Sequence, residues 1–387
     1  MIRSAVPFTR GRAWLAISCL LVCGALLAAC GSSSSSGSKS SSSKSASSGG
    51  GSGSSSGKHV TIGVVETFTS IPFYQTAALG AKAAGTEDGN ATVIVQGPAE
   101  STGSGEATMA QNLETAKQPQ GFAPNPCVLP AWTQTLATLA RDVPHDNVAA
   151  WNCKPIETAG ETSPVKTYVG VNDTETGALE AQVAIQGAHL SPSTTGTALV
   201  AYCEKGVPIL TSRASGAIAE IKKLLPKVTG VDFFSALDQN GNTAAWTSEF
   251  SRYSHVVLAL GACDQDSASL ITLKTRGVGG NFASSTVDPD PQELEGIMSG
   301  KMTAGVASAP WVQANVAVRL LIAGARGKAL PQGWIDTGLH TITKANASQW
   351  LAATKSPAAA ATFFKPFADK ILANISAVTK PMSASIG

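Results

Sequence analysis

Histidine is the side chain best suited to acid–base and metal chemistry near neutral pH, and the histidines of this chain form no catalytic pattern. They are His59, His145, His189, His255 and His340. The sequence contains no H-E-x-x-H helix, no G-x-S-x-G turn and no glycine-rich phosphate loop. We therefore expect a protein that is not an enzyme and that carries no cofactor.

One acidic segment has the spacing of a calcium loop. Asp238, Asn240 and Asn242 alternate along the chain, and Glu249 follows in the position of the last ligand. Thr243, however, stands where the sharp turn of such a loop requires glycine. We expect an ordinary polar loop that opens a helix, and no metal site.

The N-terminal segment is typical of a secretory signal. Three arginines precede an apolar run over residues 13–29, which is short for a transmembrane helix. The run ends in Leu-Ala-Ala before Cys30, a sequence that resembles the bacterial lipobox, whose cysteine is acylated. We expect removal of residues 1–29 and an extracytoplasmic protein that the lipidated Cys30 anchors to the bacterial cell membrane. The alternative is an ordinary signal peptide with an incidental cysteine.

Residues 30–57 form a predicted tether. Residues 31–57 contain 17 serines and 7 glycines and offer almost nothing to bury, so we expect disorder. A Gly/Ser coil of this length has a root-mean-square reach of roughly 30 Å. About 330 residues follow, which is more than one core usually serves and suggests two lobes. The net charge of +2 and the lack of a basic stripe argue against nucleic acid as a partner.

The remaining sequence alternates short β-branched runs with longer alanine-rich ones, a pattern that predicts βαβ units and parallel sheets flanked by helices. Predicted strands cover residues 60–65, 91–95, 148–151, 198–202 and 256–260. Predicted helices cover residues 74–84, 105–116, 132–141, 176–189, 212–225 and 243–253. In such α/β folds ligands bind beyond the carboxyl ends of the strands, so the residues that follow each strand are candidates for binding.

Short motifs follow these elements in a recognisable order. They lie at residues 69–74, 80–84, 96–98, 121–126, 143–153, 168–173, 213–216, 261–264, 287–288 and 295–301. In this order, over residues 59–346, the chain resembles the type I periplasmic binding proteins, in the branch that serves sugar transporters of the ribose type. The resemblance implies two Rossmann-like lobes, joined by a hinge, with the ligand cleft between them.

The resemblance also implies domain borders and a function. The first lobe would comprise 58–155 with 289–333, the second 156–288 with 334–346, and a helical extension 347–387. The implied protein is a monomeric solute-binding lipoprotein of an ABC importer, which captures a small polar solute, such as a sugar, by hinge closure and delivers it to a membrane permease. The same fold also serves ligand sensors that report to a chemoreceptor or a sensor kinase.

Five candidate ligand contacts follow from the chemistry of a sugar ring together with the resemblance. A sugar ring has apolar faces for aromatic side chains and a hydroxyl rim for charged ones. Phe73 and Tyr74 are the candidates for the faces, and core packing is their alternative role. Arg213 matches the ligand-binding arginine of the family, and we expect its removal to weaken binding with little change in stability. Asp264 and Asp288 follow strands, where aspartate also caps helices.

Three further candidates mark departures from the family pattern or weaker matches. Asn125 lies where the third strand normally leads to an aspartate contact, and the fourth strand likewise ends in Asn152 instead of aspartate. Trp151 makes this wall more apolar than a sugar site usually is, so an aromatic or amino compound is an alternative ligand. Trp246 lies where the family often places a polar contact, and it could equally cover the sheet.

The remaining four cysteines are expected to be oxidised, as is usual in an exported protein. With the lobes that the resemblance implies, Cys127 and Cys153 follow neighbouring strands of the first lobe, and Cys203 and Cys263 follow strands of the second. Only cysteines whose Cα atoms lie within about 7 Å can be bridged. The expected pairs are therefore Cys127–Cys153 and Cys203–Cys263, with four reduced thiols as the alternative.

Overall fold

The computed structural model describes residues 57–100, 102–158 and 160–386. The predicted signal sequence, Cys30 and the tether up to residue 56 lie outside the described residues. Within the described part of the chain, no helix has both the length and the apolar character that a membrane span requires.

The described chain alternates strands and helices along most of its length. The strands are β1 (Val60–Val65), β2 (Ala91–Gln96), β3 (Gly121–Ala123), β4 (Ala149–Trp151), β5 (Thr167–Gly170), β6 (Gly196–Tyr202), β7 (Val228–Phe234), β8 (Val256–Gly261), β9 (Ala283–Thr286), β10 (Gly305–Ala307), β11 (Gly333–Asp336), β12 (His340–Ile342) and β13 (Thr379–Lys380). The helices are α1 (Pro72–Asp88), α2 (Ser104–Lys117), α3 (Leu129–Asp142), α4 (Asp173–Gly187), α5 (Pro208–Leu224), α6 (Gln239–Arg252), α7 (Gln265–Thr275), α8 (Pro291–Ser299), α9 (Pro310–Ala325), α10 (Ala347–Ala353), α11 (Pro357–Ala373) and α12 (Ile375–Val378).

The strands form two groups, one for each lobe. In the first lobe, β2, β1 and β3 pair in parallel, and a bridge from Phe122 to Val148 leads to the strands β4, β5 and β11, which are also parallel. In the second lobe the order is β7, β6, β8 and β9, and a bridge from Val287 to Val306 leads to β10 and β12. The predicted α/β class with parallel sheets flanked by helices is confirmed.

The chain passes between the lobes later than the sequence suggests. It crosses between β5 and α4, returns between β10 and α9, and crosses again between β11 and β12. We expected crossings near residues 153–165, Asp288 and Trp334. Strand pairing accounts for the shift, because β5 and β11 are hydrogen-bonded within the first lobe and β10 lies beside β9 in the second. The predicted borders at 155/156, 288/289 and 333/334 therefore differ from the sheet membership in the structure.

Three glycines, Gly80, Gly177 and Gly216, allow close packing of helices. A Cβ atom on Gly80 of α1 would lie 2.1 Å from the carbonyl oxygen of Trp311 in α9. A Cβ atom on Gly177 of α4 would lie 1.8 Å from the carbonyl oxygen of Arg213, and one on Gly216 of α5 would lie 2.0 Å from that of Thr174. These distances are far below van der Waals contact, so only glycine lets these helix backbones approach so closely.

The C-terminal extension contacts both lobes. Helix α10 packs on α8 of the second lobe, and α11 packs on α1 and α9 of the first. Strand β13 then pairs with β11 in antiparallel orientation at the edge of the first sheet. Ala384 lies near the first crossing, where its carbonyl oxygen accepts a hydrogen bond from the side-chain amide of Asn172 at 3.2 Å.

Candidate functional site

A cleft lies between the two lobes at the carboxyl ends of their strands, where open α/β sheets bind ligands. Its volume, counted out to the open mouth, is about 520 Å³. The first lobe contributes Thr67, Phe68, Ile71, Phe73, Tyr74, Cys127 and Asn152. The second contributes Cys203, Glu204, Val207, Ile209, Leu210, Arg213, Leu237, Ala262, Cys263, Asp264, Gln265, Val287 and Asp288.

Aromatic rings form the first-lobe wall. Pro72 begins α1, which a proline does readily because its ring presets the backbone and its missing N–H has no helical partner at that position. This start brings Phe73 and Tyr74 to the cleft, with their ring centroids 4.9 Å apart and nearly perpendicular. Phe68 lies 5.2 Å from Tyr74 between centroids. Among the described residues that line the cleft, the first lobe supplies no charged side chain.

Two predicted contacts of the first lobe lie behind this wall. Trp151 has no exposed surface, and its ring lies edge-on to Tyr74 with the centroids 6.1 Å apart. Asn125 is also fully buried and does not line the cleft. Both side chains therefore back the wall, whereas Asn152, one residue after β4, lines the cleft itself. The backbone of Asn152 has a φ of 58°, a left-handed conformation that asparagine tolerates better than most residues.

A buried ion pair holds Arg213 at the cleft. Its Nε donates to Asp173 Oδ1 at 3.0 Å and its Nη1 donates to the carbonyl oxygen of Ala262 at 3.1 Å. The Nζ of Lys154, from the first lobe, lies 3.8 Å from the other oxygen of Asp173. Burial raises the pKa of Asp173, while Arg213 and Lys154 oppose that rise. The predicted Arg213 therefore lines the cleft, and it also compensates a buried carboxylate.

Two carboxyl groups complete the polar wall. Asp288, with a φ of 61°, accepts from the backbone N of Ser308 at 2.7 Å and from its hydroxyl at 2.8 Å. Its second oxygen lies 3.7 Å from Arg213 Nη1. Asp264 directly precedes α7 without a side-chain capping hydrogen bond, and its Oδ2 is buried without a hydrogen-bond partner. Burial first, and then the nearby carboxyls of Asp290 and Asp288, raise the pKa of Asp264 well above its usual range.

Trp246 is not part of the cleft, which corrects the expectation of a ligand contact. Its side chain is fully buried, and its Nε1 donates to Asp266 Oδ1 at 2.8 Å. Its ring lies perpendicular to that of Phe233, with the centroids 4.8 Å apart. The indole packs against β7 through Phe233, which agrees with the alternative role of covering the sheet.

Several lining residues were missed by the sequence reasoning. Glu204 directly follows Cys203, Gln265 lies two residues after Cys263, and Thr67 and Phe68 follow β1 by two and three residues. All four obey the strand-end rule, which would have identified them. The apolar residues that begin α5 carry a weaker signal, because a Val-Pro-Ile-Leu segment is equally typical of a helix that starts within the core.

Both predicted disulfides are present. Cys127 and Cys153 have Cα atoms 5.0 Å apart, and Cys203 and Cys263 have Cα atoms 6.1 Å apart. The bridges belong to opposite lobes, and they pack in one cluster with apolar residues from the start of α5. Each lobe therefore presents a cross-linked strand end to the cleft.

The segment that resembles a calcium loop opens a helix. Asp238 caps α6 by accepting from the backbone N of Gly241 at 2.8 Å, and Asn242 donates to Asp266 Oδ1 at 2.9 Å. Within residues 57–100, 102–158 and 160–386, no three His, Cys, Asp or Glu side chains group closely enough to hold a metal ion.

Comparison with known proteins places this architecture in a family. A family profile described as a periplasmic binding protein domain matches residues 62–329. The chain belongs to the periplasmic binding protein family. A search of curated proteins finds no significant match.

Solved structures of solute-binding proteins share the fold at low sequence identity. An ABC transporter solute-binding protein from Burkholderia graminis, in complex with D-arabinose, aligns with a TM-score of 0.65 and 19% identity over 75% of this chain and 97% of that chain. A protein from Actinobacillus succinogenes with bound D-allose gives 0.65 and 17% over 75% and 99%. GanP, a glucose-galactose binding protein from Geobacillus stearothermophilus, gives 0.65 and 15% over 75% and 99%. At these identities the likeness establishes the fold.

The two bridges of this periplasmic binding protein should differ in their contribution to stability. Their sequence separations are 60 for Cys203–Cys263 and 26 for Cys127–Cys153. The loop-entropy relation gives about 4 kcal/mol for the longer loop and about 3.5 kcal/mol for the shorter. Denaturant unfolding of the two double Cys→Ala variants should show losses of this size and order. Variants as stable as the parent would contradict the assignment of both bridges as structural.

Arg213 should matter for stability, contrary to the expectation from sequence. Arg213→Ala leaves Asp173 buried with only Lys154 nearby, so the free energy of unfolding should fall by about 3–5 kcal/mol. Adding Asp173→Asn should recover part of that loss, because the uncompensated charge is removed. Arg252→Ala on the exposed surface is the control and should change stability by less than about 0.5 kcal/mol. If Arg213→Ala is as stable as the Arg252→Ala control, the ion pair between Arg213 and Asp173 does not stabilise the folded protein.

Proposed function

We propose that this protein is the extracytoplasmic solute-binding component of an ABC importer and that it binds a sugar or a sugar-like compound between its lobes. The observation that carries the proposal is the arrangement of the cleft. Arg213, Asp264 and Asp288 from the second lobe face the rings of Phe73 and Tyr74 from the first. Such a site suits a flat solute with hydroxyl groups along one edge and an apolar face. The sugars bound to the structural relatives support the same class of ligand.

Delivery and anchoring complete the proposal. Family membership supports an extracytoplasmic location, and an acylated Cys30 would hold the protein at the membrane while the tether lets the lobes reach a permease. The few connections between the lobes would allow them to close around the solute as rigid bodies. Tyr74 and Arg213 would then approach the solute from opposite sides.

A second candidate ligand is an aromatic amine. Glu204, Asp264 and Asp288 line the cleft together with one cationic side chain, Arg213, among the described residues. An excess of carboxyl groups beside aromatic rings favours a cationic ligand. A thermal-shift screen of pentoses, hexoses and aromatic amines distinguishes the two candidates, because a ligand of the folded state raises the melting temperature. Stabilisation by amines alone would overturn the sugar assignment.

Asp264 offers the cleanest test of the site. Its Oδ2 has no protein partner, so Asp264→Asn should weaken binding of the best solute in the screen by about 1.5–3 kcal/mol while the variant stays at least as stable as the parent. Calorimetric titration measures the affinity. Asp232→Asn, an exposed position on β7, is the matched control and should bind like the parent. Equal affinity of both variants would remove Asp264 from the site.

A further inference from the structure

A second cavity adjoins the cleft. It lies between α1 of the first lobe, the segment that leads from β9 into α8 of the second lobe, and the C-terminal extension. Its volume, counted out to the mouth, is about 1010 Å³. Phe73 and Asp288 line both this cavity and the cleft, so these two side chains form the partition between them. The two spaces are therefore separated by little more than one layer of side chains.

The extension supplies the aromatic wall of the second cavity. Trp350 of α10 lies 5.5 Å from Phe364 of α11 between ring centroids, and Phe364 lies 6.0 Å from Trp311 of α9 in a stacked arrangement. The family profile ends at residue 329, so Trp350 and Phe364 lie beyond it. This wall is thus built by a part of the chain that the family profile does not include.

The chemistry of the second cavity changes along its length. Leu79, Leu294 and Pro310 line it together with the aromatic rings of the extension. Its carboxyl groups, Asp288 and Asp290, both come from the segment that leads into α8. An occupant therefore meets carboxyl groups on the side of the cleft and, towards the extension, a mainly apolar surface in which Thr354 is the uncharged polar side chain. This is the complement of a molecule with a polar head and an apolar arm.

We propose that the solute spans both cavities, and that it is a glycoside with an apolar, aryl-sized aglycone. The inference rests on the proposed function, because the sugar occupies the cleft between the lobes. The aglycone passes Phe73 and packs against Trp350 and Phe364. Phe73 is half-buried and lies at the start of α1, where its ring contacts both parts of the ligand. The apolar first-lobe wall of the cleft fits the same ligand. That wall offers a sugar few hydrogen bonds, and burial of the aryl group in the second cavity compensates for this.

Matched pairs of ligands test the inference. The probes are the methyl and 4-nitrophenyl glycosides of D-glucose, D-galactose, D-xylose and L-arabinose in both anomers, with the free sugars alongside. Calorimetric titration of the full chain gives each dissociation constant. For the sugar that fits, the 4-nitrophenyl glycoside should bind about 10- to 100-fold more tightly than the methyl glycoside, because an aromatic ring leaves water.

A filling substitution locates the aryl group. Thr76→Trp places a large side chain in the second cavity from α1, and Thr354→Trp does so from the end of α10. Either variant should abolish the preference for the aryl glycoside and leave the affinity for the methyl glycoside unchanged. Thr86→Trp, on an exposed part of α1 outside this cavity, is the matched control and should keep the preference. Thermal melting of each variant establishes that it is folded.

The outcomes separate this inference from the proposed function. Binding of sugars and methyl glycosides with no gain from the aryl group would overturn the inference and leave the proposed function standing. A preference that survives in both Thr76→Trp and Thr354→Trp would also overturn it, because the aryl group would then lie elsewhere. Failure of every sugar and glycoside to bind would overturn the proposed function and the inference with it.

Discussion

The buried carboxylate of Asp173 is the interaction on which the rest of the cleft depends. It begins α4, directly after the chain first crosses between the lobes, and it pairs with Arg213 in the second lobe and with Lys154 in the first. The Nζ of Lys154 also donates to the carbonyl oxygen of Ser385 at 2.9 Å, which ties the C-terminus to the same place. A charge buried this deeply is tolerated only when its partners are in position. The ion pair therefore couples the first crossing between the lobes, the second-lobe wall of the cleft and the C-terminal extension.

The two walls of the cleft are chemically unlike because different helices build them. The first lobe presents rings from the start of α1 and the segment before it, whereas the second presents Arg213, which close packing of α4 against α5 positions, together with the carboxyl groups of Asp264 and Asp288. Gly177 and Gly216 permit that packing, and it sets Arg213 beneath the cleft. The cross-linked strand ends add rigid, apolar surface on both sides. The result is a cleft in which, among the described residues, every charged lining side chain comes from the second lobe.

Much of this could be predicted from the sequence, and the errors have physical causes. The end of a strand can be recognised locally in a sequence. Position after a strand therefore identified Asp264, Asp288 and the four bridging cysteines, and a family motif identified Arg213. The prediction of a ligand contact for Trp246 was wrong because the sequence does not indicate towards which side of a helix a tryptophan points. Its hydrogen bond to Asp266 is evident only from the structure. The predicted lobe borders differ from the sheet membership of the strands for a related reason. The sequence of a short strand such as β5 does not indicate which sheet the strand will join.

The second cavity could not have been predicted either, since it forms only where α1, α8 and the extension meet.

The most direct test of the account is a crystal structure with the solute that gives the largest stabilisation in the screen. The account predicts a solute between the lobes, with its polar edge within hydrogen-bonding distance of Asp264 and Arg213 and its apolar face against Phe73 or Tyr74. A solute bound outside the cleft, or one that contacts a single lobe, would contradict the central claim that the two lobes form one binding site.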